Sequence, residues 1–136
     1  MKKTQVQNAK GEVRIIAGLW RGRKLPVLNA EGLRPTGDRV KETLFNWLMP
    51  YIHDAQCLDG FAGSGSLGFE ALSRQAKNVI FLESDSVVAN RLKKNLQMLK
   101  CSVEQAEVFN QNCLDFLSLP QNQARFDVVF LDPPFH

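Results

Sequence analysis

The sequence is poor in the residues that build disulfide frameworks and metal centres. Its 136 residues include only three cysteines and two histidines. Cys57, Cys101 and Cys113 are odd in number and none belongs to a Cys-x-x-Cys pair, so we expect neither a disulfide framework nor a zinc site. His53 and His136 have no cysteine or histidine at ligand spacing, and we therefore expect no metal.

Long apolar runs are also scarce. No stretch approaches the roughly eighteen consecutive apolar residues that span a bilayer, and no apolar run follows the lysines at the start of the chain. We therefore expect no membrane span, no signal peptide and a cytoplasmic location. The apolar and charged fractions, 44% and 23%, are those of a globular protein rather than of a disordered or fibrous one.

The net charge is small but unevenly distributed. It is +3 for the whole chain, yet residues 1–47 contain ten basic and four acidic side chains, a net charge of +6, whereas residues 48–136 contain seven and ten, a net charge of −3. A basic segment on a more neutral body is typical of proteins that bind a polyanion, although solvated surface lysines give the same count. Charge alone leaves both interpretations open.

The sequence pattern changes near residue 50 and divides the chain into an appendage, residues 1–50, and a core, residues 51–136. In the appendage, short apolar runs alternate with basic residues and glycines over 13–18 and 21–27, which predicts a small β-hairpin.

A helix is predicted to follow the hairpin. Thr36 or Asp38 can cap its start, and Pro50 is expected to end it. One apolar face recurs at helical spacing and consists of Val40, Leu44, Trp47 and Leu48.

From residue 55 onward, apolar strands alternate with amphipathic helices. Strands are predicted over residues 55–59, 79–83, 107–109 and 126–131, and helices over residues 67–74, 86–99 and 114–117. This alternation predicts an α/β fold with a doubly wound, mostly parallel sheet, whose ligands bind at the carboxyl ends of the strands. The candidate side chains at or just after strand ends are Asp59, Glu83, Asn112 and Asp132.

A glycine-rich turn follows the first core strand. Gly63, Gly65 and Gly68 form a G-x-G-x-x-G string, which by itself fits a dinucleotide site or a turn without ligand. Asp59 ends the strand before it, and this carboxylate would repel a pyrophosphate but attract the ammonium and sulfonium of S-adenosyl-L-methionine. Glu83 ends the next strand, where a carboxylate can accept hydrogen bonds from ribose hydroxyls or simply be solvated.

The most informative stretch is Asp132-Pro133-Pro134-Phe135. The prolines cannot continue the sheet ladder, so the preceding strand ends there and presents the Asp132 carboxylate and the Pro133 carbonyl. Hydrogen bonds from an exocyclic base amine to these two acceptors would favour attack by its nitrogen on a sulfonium methyl group. Phe135 offers a flat surface on which a base can stack.

Together these motifs resemble the S-adenosylmethionine-dependent amino-methyltransferases with the motif (Asp/Asn)-Pro-Pro-(Tyr/Phe). Residues 14–18, 21–25 and 33–46 are similar to the bacterial family that methylates guanine N2 in 16S ribosomal RNA. The resemblance covers residues 13–135. It implies a Rossmann-like class I methyltransferase, S-adenosyl-L-methionine as the cofactor, and ribosomal RNA or the small ribosomal subunit as the partner.

The resemblance also implies roles for individual residues. In the implied catalytic site, Asp132, Pro133 and Phe135 face the base. The implied cofactor site consists of Asp59, Phe61, Ala62, Gly63, Gly65, Glu83, Asn112, Thr36 and Arg39, with Asp115 as the alternative to Asn112 for the adenine. The basic residues expected to contact RNA phosphates are Arg14, Arg21, Arg23, Lys24 and Arg34, while Trp20 can stack on a base or pack against the protein.

Further strands normally follow the catalytic strand in such a sheet, so we expect the chain to be a fragment of a longer protein, and we expect a monomer. Two alternatives remain open: a DNA or protein amino-methyltransferase with the same motif, and a nucleic-acid-binding module without catalysis. A nicotinamide oxidoreductase is the weakest interpretation.

Overall fold

The described part of the chain, residues 11–28 and 37–133 of this computed structural model, begins with a β-hairpin. Its strands β1, Glu12–Arg14, and β2, Lys24–Pro26, pair antiparallel with Val13 opposite Leu25. These two apolar side chains are buried, whereas their basic neighbours are exposed. The alternation in the sequence thus produces the predicted hairpin.

Helix α1, Asp38–Ile52, confirms the predicted helix but not its ends. Gly37 is the N-cap residue and Asp38 is the first residue inside the helix, so the prediction of Asp38 as cap is wrong; Thr36, the other predicted cap, lies outside the described residues. Pro50 does not end the helix, which continues for two more residues. A proline this close to the end removes only one backbone hydrogen bond, and the buried Ile52 holds the last turn against the core.

The buried face of α1 also differs from the prediction. Val40 and Trp47 are 62% and 74% exposed, so their assignment to the core is wrong, whereas Leu44 and Leu48 are half-buried. The residues that the helix buries are Lys41, Phe45 and Ile52. The true face is displaced by one residue because it contains a lysine, which the apolar pattern could not include.

A parallel four-stranded sheet forms the centre of the described chain. Its strands are β3, Gln56–Asp59; β4, Asn78–Leu82; β5, Ala106–Phe109; and β6, Val128–Phe130. They are ordered β5-β4-β3-β6, so the chain moves outward from β3 to β5 and then crosses to the other side. The sheet confirms the predicted α/β fold and each predicted strand to within about two residues at either end.

Helices connect the strands. They are α2, Ser66–Ser73; α3, Ser86–Met98; and α4, Cys113–Leu117; a 3₁₀ turn, Pro120–Asn122, precedes β6. Asp85 caps α3 by accepting hydrogen bonds from the N–H groups of Val87 and Val88. None of the helices in the described ranges is long and apolar enough to cross a membrane.

Successive strand residues face opposite sides of the sheet and build two clusters. Cys57, Val79 and Phe81 belong to the larger cluster, together with residues of α1, α2, α3 and the hairpin. Leu58 and Ile80 belong to the smaller one, which α4 covers. Helices therefore lie on both faces, as a doubly wound sheet requires. The division of the chain at residue 50 stays a prediction.

Candidate functional site

Three carboxylates lie at one edge of the sheet. Asp59 is the last residue of β3, Glu83 comes directly after β4, and Asp132 comes two residues after β6. Because β3 lies between β4 and β6 and all three strands run parallel, their carboxyl ends meet. The charges of Asp132 and Glu83 both act on Asp59, so these predicted site residues are brought together.

Asp59 is the most buried of the three, with 2% of its surface exposed. Its pKa is raised from 3.8 to about 7, chiefly because the carboxyl is buried and also because of the negative charges of Asp132 and Glu83. A hydrogen bond from the Gly68 N–H, at 3.1 Å, acts in the opposite direction. A buried carboxylate among other negative charges is stabilised by a cation. The surroundings of Asp59 therefore favour a positively charged ligand.

The glycine-rich turn holds this carboxylate between β3 and α2. Gly65 has a φ of +82° and is the N-cap of α2; a Cβ placed there would lie 2.7 Å from Leu92 and even closer to the Phe69 ring. Only glycine fits this left-handed, crowded position. Gly68, one turn later, packs its bare Cα against Phe81 and directs its N–H at Asp59.

Glu83 connects the turn to the neighbouring strand. Its Oε1 accepts a hydrogen bond from the Gly63 N–H at 2.9 Å, and its Oε2 accepts one from the Asp85 N–H at 3.0 Å. A carboxylate has about four acceptor positions, so both oxygens keep capacity for hydroxyl donors. The side chain is only partly buried, and it is thus held in place at an edge that a ligand can reach.

Phe61 and Ala62 form the inner part of the turn. Phe61 packs partly buried against the smaller cluster, and Ala62 is 7% exposed. The Ala62 N–H donates to the Leu82 carbonyl at 2.9 Å, and the Gly65 N–H donates to the Ala62 carbonyl at 2.7 Å. These bonds link the turn to the end of β4, next to Glu83.

Asn112 lies on the same edge, three residues after β5, and caps α4. Its Oδ1 accepts from the N–H groups of Leu114, at 2.8 Å, and Asp115, at 3.3 Å. These two hydrogen bonds occupy Oδ1 of Asn112 and fix the orientation of its side chain. Asp115 is exposed in the first turn of α4.

The residues after β6 approach the turn after β3. The Gly60 N–H donates to the Phe130 carbonyl at 3.0 Å, and a Cβ on Gly60 would lie 2.9 Å from Cys113 Sγ and 3.0 Å from Leu131. Asp132 is exposed and Pro133 is half-buried. Phe135 lies outside the described residues, so its predicted stacking role stays a prediction.

The basic residues predicted to contact RNA are distributed around the hairpin. Arg21, Arg23 and Lys24 are exposed at its turn and second strand. Arg14 is also exposed and pairs with Asp38 at 3.2 Å. Arg39 is exposed in the first turn of α1, and Arg34 lies outside the described residues. Trp20, half-buried, packs against the larger cluster, which favours the packing interpretation of this side chain.

Sequence reasoning missed a buried ionic network beside the site. Lys41 is 1% exposed and its Nζ lies 3.6 Å from Oε1 of Glu70, which is fully buried; Glu70 Oε2 lies 2.8 Å from Arg74 Nε. Burial lowers the pKa of Lys41, and the charge of Glu70 partly opposes that shift. The one sequence signal for a buried Lys41 was its spacing from Phe45 and Ile52, which places the three residues on one face of a helix.

Within residues 11–28 and 37–133, no group of three or more His, Cys, Asp or Glu side chains is arranged to hold a metal ion.

Known proteins resemble this chain along most of its length. Residues 13–136 match the family model described as Conserved hypothetical protein 95. The ribosomal RNA small subunit methyltransferase D of Haemophilus influenzae is 84% identical over 136 residues, covering all of this chain and 70% of the relative. The Escherichia coli protein of the same name is 55% identical over 135 residues, covering 99% of this chain and 66% of the relative. The chain therefore spans about two thirds of the length of these curated relatives.

Solved structures have the same fold. A structure described as a proposed methylase of Haemophilus influenzae superposes with a TM-score of 0.78 at 78% identity and covers 93% of this chain and 66% of that one. A proposed methyltransferase of Escherichia coli gives a TM-score of 0.79 at 52% identity, covering 92% and 65%. The fold is thus the Rossmann-like fold of class I methyltransferases. The chain belongs to the Conserved hypothetical protein 95 family, together with the ribosomal RNA small subunit methyltransferases D.

Proposed function

We propose that this protein transfers a methyl group from S-adenosyl-L-methionine to the exocyclic N2 of a guanine in 16S ribosomal RNA. The observation that carries the proposal is the meeting of Asp59, Glu83 and Asp132 at one sheet edge around a glycine turn. The names of the curated relatives support ribosomal RNA of the small subunit as the substrate. The choice of guanine N2 rests on the resemblance of residues 14–18, 21–25, 33–46 and 132–135 to the family named above.

The cofactor's chemistry fits the residues at this edge. When bound, S-adenosyl-L-methionine supplies a methyl group on a positively charged sulfur. Asp59 would attract the cofactor's ammonium, because its buried carboxylate is surrounded by negative charge. Glu83 would accept hydrogen bonds from the ribose hydroxyls with the acceptor positions that its two backbone bonds leave. Asn112, Thr36 and Arg39 complete the proposed cofactor site, with Asp115 as the alternative to Asn112.

Asp132 and Pro133 would orient the guanine. The Asp132 carboxylate and the Pro133 carbonyl accept the two N–H groups of the exocyclic amine, which moves the nitrogen lone pair out of conjugation with the ring and directs it at the methyl group. The bound cofactor would supply the methyl group and leave as S-adenosylhomocysteine, and the Asp132 carboxylate would accept the proton that the amine loses. Phe135 would stack on the base.

The hairpin would hold the RNA around the target. Exposed Arg21, Arg23 and Lys24, with Arg14 and Arg34, form the proposed phosphate contacts, which position RNA without reading its sequence. The target nucleotide must be unpaired or flipped, because a stacked guanine cannot place N2 at the sheet edge. A monomeric, cytoplasmic enzyme is part of the same proposal.

The experiment is methyl transfer by the intact protein. Labelled S-adenosyl-L-methionine is supplied with small ribosomal subunits, with 16S RNA, with duplex DNA, or with a ribosomal protein mixture, and modified nucleosides are identified by mass spectrometry. We expect N2-methylguanosine from the subunits or the RNA, and loss of transfer with cofactor binding retained in Asp132→Ala. Preferred labelling of DNA or protein, or normal turnover of Asp132→Ala, would overturn the proposal.

A further inference from the structure

The buried network around Lys41 joins the hairpin to the rest of the protein. The Glu70 carboxylate accepts hydrogen bonds from the Ile16 N–H at 2.9 Å and the Ala17 N–H at 3.1 Å. Lys41 donates to the Arg14 carbonyl at 2.8 Å. Two buried charged side chains thus fix three backbone groups: one at the end of β1 and two in the segment that leads from β1 to the basic turn.

The same lysine also contacts the helix that begins at the glycine turn. Its Nζ donates to Oγ of Ser66 at 3.0 Å, and this bond is buried. Ser66 is the first residue of α2 and directly follows Gly65. Two residues later, the Gly68 N–H holds the Asp59 carboxylate. One ammonium group therefore connects the backbone of the hairpin with the helical turn that positions Asp59.

Stability alone is a weak reason for such an arrangement. A buried ion pair adds little net stability relative to apolar residues of similar size, because desolvation offsets its attraction. What it adds is definite geometry, since each of its hydrogen bonds is costly to lose away from water. A shift of the hairpin must then move Lys41 or break a buried bond, and either change is transmitted to α2.

We propose that Lys41 and Ser66 are positioning residues that couple RNA binding at the hairpin to cofactor binding at the glycine turn. This inference rests on the proposed function. Phosphate contacts at Arg21, Arg23 and Lys24 fix the position of the hairpin. The hydrogen bonds of Lys41 then fix the first turn of α2, which orients the Asp59 carboxylate towards the cofactor's ammonium group. Because such coupling is reciprocal, bound cofactor also tightens RNA binding by the same factor.

The test uses the intact protein and calorimetric titration with S-adenosylhomocysteine, without RNA and with a saturating 16S RNA transcript. We expect RNA to tighten the wild-type protein's cofactor affinity by about fivefold or more, the lower range of measured couplings. Ser66→Ala removes the hydroxyl that accepts the hydrogen bond from Lys41 but keeps the ion pair between Lys41 and Glu70, so the variant is expected to fold. In this variant, the ratio of the cofactor affinity with RNA to the cofactor affinity without RNA should fall to near one. Lys41→Met should lower the same ratio to near one.

Ser73→Ala is the matched control. Ser73 lies at the other end of α2, where its hydroxyl donates to the Ala17 carbonyl at 2.6 Å and accepts from the Trp20 N–H at 3.0 Å. This variant loosens the same hairpin on the same helix but leaves the Lys41–Ser66 bond, so it should weaken RNA binding and keep the affinity ratio. A merely structural role of the network would instead reduce stability in the Lys41 and Ser66 variants without changing that ratio.

Two results would overturn this inference without affecting the proposed function. One is a wild-type protein that binds both ligands but whose cofactor affinity is the same with and without RNA. The other is an affinity ratio that is unchanged in Ser66→Ala and Lys41→Met. Equal loss in Ser73→Ala would also contradict it. A wild-type protein that binds no S-adenosylhomocysteine would overturn the proposed function as well, which distinguishes the two failures.

Discussion

Asp59 and Glu70 are both buried carboxylates, yet their surroundings differ in sign. Glu70 accepts hydrogen bonds from two backbone N–H groups and from Arg74, and it lies beside Lys41. Asp59 accepts one bond from the Gly68 N–H and lies among the negative charges of Glu83 and Asp132. The protein compensates one acid internally and places the other among like charges, so we expect Glu70 to support the fold and Asp59 to bind a cationic ligand.

The largest effect expected from this comparison concerns Glu70. Glu70→Gln should lower the free energy of unfolding by about 3–5 kcal/mol, because it leaves the buried Lys41 and the partly buried Arg74 without their counter-charge. Urea denaturation at pH 7.5 measures the change. In the control, exposed Glu42→Gln should change it by less than about 0.5 kcal/mol. Similar losses in both variants would remove the distinction between the two acids.

Asp59 should respond in the opposite direction. Asp59→Asn keeps an oxygen for the Gly68 N–H but removes the cost of ionising a buried acid, so it should raise the free energy of unfolding at pH 8 by about 2–4 kcal/mol. Cofactor binding should be lost in the same variant. The control is Asp127→Asn, an exposed acid whose oxygen accepts from the Gln56 N–H. Destabilisation by Asp59→Asn would show that the carboxylate supports the fold.

The pH dependence should separate folding from binding at the same residue. The pKa of Asp59 is 3.8 unfolded and about 7 folded, so the folded state binds more protons between these values and this group's contribution to stability falls as pH rises from 4 to 7. Affinity for S-adenosylhomocysteine should move the other way and rise roughly fivefold between pH 6 and 7, as the carboxylate ionises. Urea denaturation across this pH range measures the trend in stability, and calorimetry measures the trend in cofactor affinity. Asp59→Asn should show neither of these pH dependences.

The smallest effect on folding is expected at the hairpin, where charge is exposed. Replacing Arg21, Arg23 and Lys24 with glutamine should leave stability within about 0.5 kcal/mol but reduce the salt slope of RNA binding by about 2. The control carries the same charge change on and after α3, at the exposed residues Lys93, Lys94 and Lys100. An equal reduction in slope there would mean that RNA is bound by general charge and not by the hairpin.

The candidate site was largely predictable because its residues are adjacent to strand ends in the sequence. Asp59, Glu83 and Asp132 follow apolar runs directly, and parallel strands bring such positions to one edge. The cap at Asp85 was predictable for a similar reason, since it depends on neighbours within three residues. Local patterns decide these features.

The face of α1 was not predictable in this way. Counting Val40 and Trp47 as core and Lys41 as surface is reasonable when burial is read from side-chain polarity, but the structure reverses it. The buried lysine is tolerated because its partners come from two distant segments: Arg14 at the end of β1, and Ser66 and Glu70 in α2. No pattern within one helix contains that information.

The sequence by itself determined the alternation of strands and helices, the glycine turn and the carboxylates that follow the strands, because periodicity and backbone chemistry act between near neighbours. The tertiary structure alone decided which acid is compensated and which is left among like charges, because it joins residues far apart in the chain: Glu70 accepts a hydrogen bond from Ile16, 54 positions away, and Asp59 lies near Asp132. This difference distinguishes Glu70, which accepts hydrogen bonds from the hairpin segment, from Asp59, which we propose to bind a cationic ligand.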